Sequence, residues 1–227
     1  MSIIYINPYS FSAAVPNIVT DDMVMHLDAG QTASYPGSGT TWTDLSGNGN
    51  NGTLTNFSGS FYDSANQGSL IFDGNDDFAA CGSVNFFGSG KVTTNAWVKL
   101  SGSKVQHIID SSSTTWHLAV LDDNRPYFWN GTTYHTDAPA LSLNQWYMLT
   151  GVQGTTLDIY TNGVLQKSIA TNANVATGNT ISVGNFQGGS PSRYWNGNVA
   201  TATLYNRALT AAEILQNFNA LRGRFGL

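Results

Sequence analysis

Short β-prone runs, each closed by Gly, Asn, Asp or Pro, follow one another from Met23 to Tyr205 and leave no room for a helix between them. The runs are Met23–Asp28, Ser69–Asp73, Asp77–Cys81, Val92–Leu100, Gln106–Asp110 and Trp116–Leu121. They continue through Tyr127–Asn130, Trp146–Val152, Leu157–Tyr160, Val164–Ile169, Thr180–Gly184 and Asn198–Tyr205. Asn162-Gly163 between two of them is the favoured type I′ hairpin pair, because both positions tolerate positive φ. Residues 30–53 interrupt the rhythm as a long Gly/Ser/Asn-rich stretch around Trp42 that reads as a loop. Strands at this spacing without helical periods predict an all-β fold: an antiparallel two-sheet jelly-roll sandwich.

One helix is expected, at the C-terminal end, over residues 210–222. Thr210-Ala-Ala-Glu213 is a capping box, in which the Thr oxygen accepts from the N3 amide and the Glu reaches back. Ile214, Phe218 and Leu221 then form one apolar stripe, and Gly223 suits the position just past the helix end.

Charge is scarce and one-sided. Acids number 14, of which Glu213 is the sole Glu, against 9 Lys and Arg, for a net charge of −5. Scattered Lys and Arg give no polyanion surface, so no nucleic-acid partner is expected. No run approaches the length of a membrane span. The opening Met1–Pro8 lacks the parts of a secretory signal, which predicts synthesis in a cytoplasm. Cys81 alone forms no internal disulfide and reads as a small buried hydrophobe on a strand.

Residues 1–20 are set apart from the domain at 21–227. Ile3, Ile4, Tyr5, Ile6, Tyr9 and Phe11 are apolar or aromatic, and Pro8 and Pro16 bar a useful helix. They read as an arm docking on a partner, the alternative being an edge strand or a wrap over the sandwich.

Catalysis is not expected. Glycosidic hydrolysis usually needs two carboxyls facing across the bond, one kept protonated. Asp76/Asp77 and Asp122/Asp123 are sequence neighbours, which strands and turns point apart, and Glu213 is occupied by its cap. There is no Gly-x-Ser-x-Gly elbow and no phosphate-cradling glycine loop, so no cofactor is expected. The histidines His26, His107, His117 and His135 lack metal-ligand spacing. Asp73-Gly-Asn-Asp-Asp77 is rich in oxygen ligands, and Asp44 with Asn48 could approach it from the long loop. Turn chemistry accounts for the segment as well.

Aromatics gather in mid-chain: Trp116, Tyr127, Trp129 and Tyr134, with His117, Arg125 and His135 interleaved. Sugar rings present CH faces that stack on aromatic rings while polar side chains take the hydroxyls. Trp116, His117, Tyr127, Trp129 and Tyr134 are therefore the candidate ligand-binding residues. The alternative is that alternate members face the core, Trp116 and Trp129 among them.

The segments Met23-Val-Met-His-Leu-Asp-Ala-Gly30, Trp42-Thr-Asp-Leu-Ser-Gly-Asn-Gly-Asn-Asn-Gly-Thr-Leu54 and Phe72-Asp-Gly-Asn-Asp-Asp-Phe78 come in a telling order. Ala96-Trp-Val-Lys99, Ile159-Tyr-Thr-Asn-Gly-Val164 and Tyr205-Asn-Arg-Ala-Leu-Thr-Ala-Ala-Glu-Ile214 follow. This ordered set, over roughly residues 23–222, resembles the laminin-G-like, concanavalin A-like jelly-roll domains. Many members carry Asp-Glu in the strand before the Tyr-Asn-Arg-Ala-Leu segment, where the acid can serve calcium; here Ala200-Thr201 stands there, so no metal is expected. The ending Asn217-Phe-Asn-Ala-Leu-Arg-Gly-Arg-Phe225 and the opening Tyr5-Ile-Asn-Pro-Tyr-Ser-Phe11 resemble versions found in virion structural proteins of tailed bacteriophages, cyanophages especially. That resemblance implies a non-catalytic decoration, head-fibre or tail-associated protein on the virion surface. Its expected partners are other virion proteins, met through residues 1–20, and host or environmental glycans, with a homo-oligomer left open. The rival expectation is a free bacterial carbohydrate-binding protein.

Overall fold

The computed structural model describes residues 16–84, 90–111, 116–132, 134, 137–171, 179–187 and 193–227. The arm residues Ile3, Ile4, Tyr5, Ile6, Tyr9 and Phe11, and His135, lie outside them.

Two antiparallel sheets face each other, with strands numbered in chain order. One contains β1 (Met23–Asp28), β4 (Tyr62–Asp63), β5 (Ser69–Asp73), β7 (Val92–Leu100), β11 (Trp146–Gln153), β12 (Thr156–Thr161), β13 (Val164–Ala170) and β15 (Asn196–Tyr205). Its order is β13-β12-β11-β7-β15-β5-β4, and β1 joins the same side of β15 as β5, further along the strand. The second sheet contains β2 (Thr41–Trp42), β3 (Gly52–Thr55), β6 (Phe78–Val84), β8 (Gln106–Ser111), β9 (Trp116–Val120), β10 (Pro126–Trp129) and β14 (Asn179–Val183), in the order β10-β9-β8-β14-β6-β3-β2. The expected two-sheet jelly-roll sandwich is what the chain forms.

Residues 30–53 are more than a loop. They contribute β2 and the start of β3, and Tyr35 and Trp42 drop into the core, each at most 1% exposed. Asp44 organises the turn between them. One of its oxygens accepts from the His26 and Ser46 amides (2.8 and 2.9 Å), and the other accepts from the Asn50 amide (2.9 Å) and the Ser46 hydroxyl (2.8 Å). Asp44 is thus spent on its own loop and not on the Asp73–Asp77 turn.

The sandwich interior is one apolar cluster drawn from both sheets, including Leu27, Phe72, Val98, Ile108, Ile109, Trp116, Phe128 and Trp195. Each large side chain buried there is worth roughly 1.5–3 kcal/mol. Cys81 belongs to it as expected, and burial pushes its thiol up to about 12. In the hairpin β12–β13, Asn162 and Gly163 both take positive φ, 53° and 77°, as the dipeptide predicts.

A second apolar cluster covers the outer face of the eight-stranded sheet. Helix α1 (Ala211–Leu221) starts at the predicted capping box, with both reciprocal bonds formed. Its stripe and the tail behind it lie on Trp97, whose ring stacks on Phe225 (centroids 4.2 Å apart) and on Phe218 (5.7 Å). The expected stop at Gly223 is not where the chain turns left-handed. A short 3-10 segment, Arg222–Phe225, carries the chain on to Gly226 (φ 74°), because Phe225 has first to reach Trp97. Val19 joins this cluster and donates its amide to Asn217 Oδ1 (2.8 Å), so the end of the expected arm is packed on the domain. Among the described residues no helix is long and apolar enough to cross a membrane.

Candidate functional site

The helix covers the outer face of one sheet; on the other sheet, the outer face near the β9–β10 edge holds the site. Alternation on β9 sends Trp116, Leu118 and Val120 inward and His117 outward. On β10, Phe128 points inward while Tyr127 and Trp129 point outward. Trp129 stands opposite His117 in the ladder, with ring centroids 4.8 Å apart. Tyr127 meets the His117 ring edge-on at 5.4 Å. Tyr134 forms a bridge with Trp129 and sets its ring 6.2 Å from Tyr127.

Four of the five sequence candidates therefore converge: His117, Tyr127, Trp129 and Tyr134. Trp116 does not join them. Its side chain is 0% exposed inside the sandwich, 6.1 Å from the Phe128 ring, because it is one residue out of phase with His117. The expectation that Trp116 contacts a ligand is corrected on that ground.

The four candidates line a cavity of about 340 Å³ together with Val105, Leu121, Phe186 and Arg193. Phe186 and Arg193 lie between β14 and β15 in the chain, and both reach the outer face beside the four candidates. The Arg193 guanidinium lies over the Phe186 ring, 4.6 Å from its centre. Sequence reading missed both, since they are nearly 60 positions beyond β10 and carry no local signal.

Behind the cavity is a polar floor that was missed as well. His107 packs against His117 (4.1 Å between rings) and Phe186 (4.7 Å). Its Nδ1 is 3.1 Å from Asp110 Oδ2, and His117 Nδ1 is 3.7 Å from the same oxygen. The other Asp110 oxygen accepts from the Gln187 amide (3.3 Å). His107 Nε2 is buried with no hydrogen-bond partner among the described residues. Burial pushes the Asp110 carboxyl up to about 7, against the Gln187 bond and Arg193. Burial likewise lowers His107 to about 3 and His117 to about 2, with Arg193 adding in both cases. At neutral pH both imidazoles are uncharged.

Among the described residues, two groups of metal-capable side chains gather their ligand atoms within 4.8 Å: His107/Asp110/His117 and Asp73/Asp76/Asp77. The second behaves as the turn chemistry expected of it. Asp73 accepts from the amides of Asn75 and Asp76, and Asp77 accepts from the amide of Asp73. The first is the hydrogen-bonded floor just described.

A larger hollow of about 580 Å³ opens between residues 16–20, His26, Asp28 and the end of α1. It offers no aromatic platform among the described residues. The β9–β10 cavity offers stacking rings, a phenol at its rim and one permanent cation. That combination suits a small polar ring compound with apolar faces.

Residues 73–215 match a family model described as the concanavalin A-like lectin/glucanases superfamily (Laminin_G_3). No curated protein matches the chain. Among solved structures, domain 4 of AbnA, a GH43 extracellular arabinanase from Geobacillus stearothermophilus solved with arabinotriose, is 15% identical at a TM-score of 0.65. The match covers 86% of this chain and 98% of that one. Trypanosoma rangeli sialidase in complex with sialic acid is 15% identical at 0.67, over 93% of this chain but 34% of that one. The receptor binding domain of botulinum neurotoxin C/D mosaic serotype is 14% identical at 0.63, over 88% and 51%. At these identities the likeness is one of fold.

Proposed function

The chain belongs to the concanavalin A-like lectin/glucanases superfamily, and we propose that it is a non-catalytic carbohydrate-binding module carried on the particle of a tailed phage. The observation that carries the sugar-binding half is the convergence of His117, Tyr127, Trp129 and Tyr134 around one cavity on the outer sheet face. Stacking of a pyranose or furanose on Trp129, with hydroxyls directed to the rim, uses every element of that arrangement. The arabinotriose bound to domain 4 of the arabinanase supports the same use of the fold.

The placement of the acids supports the non-catalytic half. No carboxylate lines the cavity among the described residues, and Asp110 behind it is buried and engaged. The described lining therefore offers no pair of carboxyls about 5–9.5 Å apart to face across a bound sugar. Glu213 is held by Arg207 far from the site, in bonds of 2.7 and 3.0 Å.

The virion placement rests on the resemblance of the two ends of the chain to phage structural proteins. Many copies on a particle would convert weak binding at each single site into avidity.

A glycan array probed with the protein and with Trp129→Ala tests the first half. Array signal lost in the variant is expected; no signal, or signal indifferent to Trp129→Ala, overturns it. Mass spectrometry of purified particles of the encoding virus tests the second. A coding locus outside any phage genome would leave a free bacterial carbohydrate-binding protein instead. Removal of residues 1–15, which spares the packed Val19, should abolish incorporation while the domain stays folded.

A further inference from the structure

Arg193 is the one Lys, Arg, Asp or Glu among the described side chains that line the cavity. Elsewhere Arg125, Arg207 and Arg224 each hold a carboxylate, on Asp123, Glu213 and Asp28, while Arg222 lies over the Phe218 ring away from the cavity. Arg193 holds none among the described residues: its guanidinium lies over Phe186 and lines the same hollow as Trp129. A guanidinium stacked on a ring is fixed in plane and keeps its N–H edge free for an acceptor. The nearby acid, Asp110, is engaged by His107 and Gln187. With a net charge of −5 the protein is no general anion trap, so any preference for a negative ligand has to come from this position.

Resting on the sugar-binding reading above, we infer that the cavity selects a carboxylate-bearing sugar, a uronic or sialic acid unit. Its ring stacks on Trp129 and its carboxylate pairs with the Arg193 guanidinium. The planar carboxylate matches the guanidinium fork in a two-bond geometry, and the aromatic walls shield the pair from water. A neutral sugar can use the same platform but leaves the cation unanswered.

Isothermal titration with trigalacturonate, 3′-sialyllactose, galactotriose and lactose separates the cases, using the wild type, Arg193→Gln, Arg193→Lys and Trp129→Ala. At least one acid should bind about tenfold or more tighter than its neutral counterpart, and the acid that does so tells a uronic from a sialic ligand. Arg193→Gln should erase that acid's advantage over its neutral counterpart while the melting temperature holds. Arg193→Lys should retain part of the preference. Raising salt from about 0.05 to about 0.5 M should weaken only the acid arm. Equal binding of acid and neutral sugars, or indifference to Arg193→Gln, overturns the acidic specificity and leaves the sugar site standing. Absence of binding by all four sugars overturns both.

Discussion

His107 and Asp110 sit three positions apart on β8 and yet stand side by side on one face, with Nδ1 3.1 Å from Oδ2. On a regular strand such a pair points to opposite faces. The β8–β9 register slips between His107 and Ile109, leaving Ile108 without an opposite partner, and both Ile108 and Ile109 then turn into the core. The bulge re-aims the strand so that an acid and two imidazoles meet beneath the cavity, as bulges beside functional sites often do.

Asp110 should make stability depend on pH in a defined sense. Burial raises its carboxyl to about 7 from an ordinary 3.8. A raised folded value means that ionisation costs stability, so its contribution falls as pH climbs from about 4 to about 7. Asp110→Asn escapes this. Its advantage over the wild type should grow by about 2–3 kcal/mol, or about 4–12 °C in Tm, between about pH 5 and pH 8. Thermal melts of both proteins across that range decide it, and a constant difference would assign Asp110 an ordinary titration.

Trp116 and Trp129 should separate stability from binding. Trp116→Ala empties a fully buried core position and should cost about 3–5 kcal/mol in a denaturant titration. Trp129→Ala removes a partly exposed platform: Tm should barely move while sugar affinity falls about tenfold or more. The opposite pattern would relocate the site.

The contrast between these two tryptophans was legible in outline. Alternation alone says that Trp116 and His117 face opposite ways, though not which of them faces in. The bounds of β1, β5 and β7 follow from hydrophobic runs and turn residues, and the capping box and Asn162-Gly163 act locally enough to be read directly. β2 and β3 were hidden because their only strong apolar anchors, Trp42 and Leu54, are embedded in Gly/Asn text that looks like loop. His107 and Asp110 were hidden by the bulge, which has no sequence signature here. Phe186 and Arg193 were hidden by distance: they reach the site through tertiary folding of a segment without periodicity.

Glu213 should behave oppositely to Asp110. The paired bonds from Arg207, with those from Thr210, hold its carboxyl down at about 2. A depressed folded value gives stability that is present above 4.5 and lost as pH falls toward 2. With both side chains a fifth to a quarter exposed (21% and 27%), solvent discounts the pair. Glu213→Gln should cost about 1 kcal/mol near neutrality, and the two proteins should converge near pH 2. Convergence at every pH would leave the cap without an electrostatic part.

Asp28 and Arg224 join the two ends of the domain in a buried pair, 2.7 Å apart with side chains 3% and 4% exposed. The same guanidinium donates to the carbonyls of Asn66 (2.5 Å) and Gly68 (2.6 Å), while Asp28 also accepts from the Gly30 amide (2.8 Å). Arg224→Ala strands a buried carboxylate and should cost about 3–5 kcal/mol; Asp28→Asn added to it should recover part of that loss. Gly30 is held to glycine by the same contact, because a Cβ there would overlap the guanidinium. The far end of an arginine normally swings aside at little cost, but this one is fixed by three partners. Gly30→Ala should therefore cost about 1–3 kcal/mol by urea titration, and substantially less in an Arg224→Ala background, where the obstacle is gone. If the two changes were additive, Gly30 would owe its place to something other than Arg224.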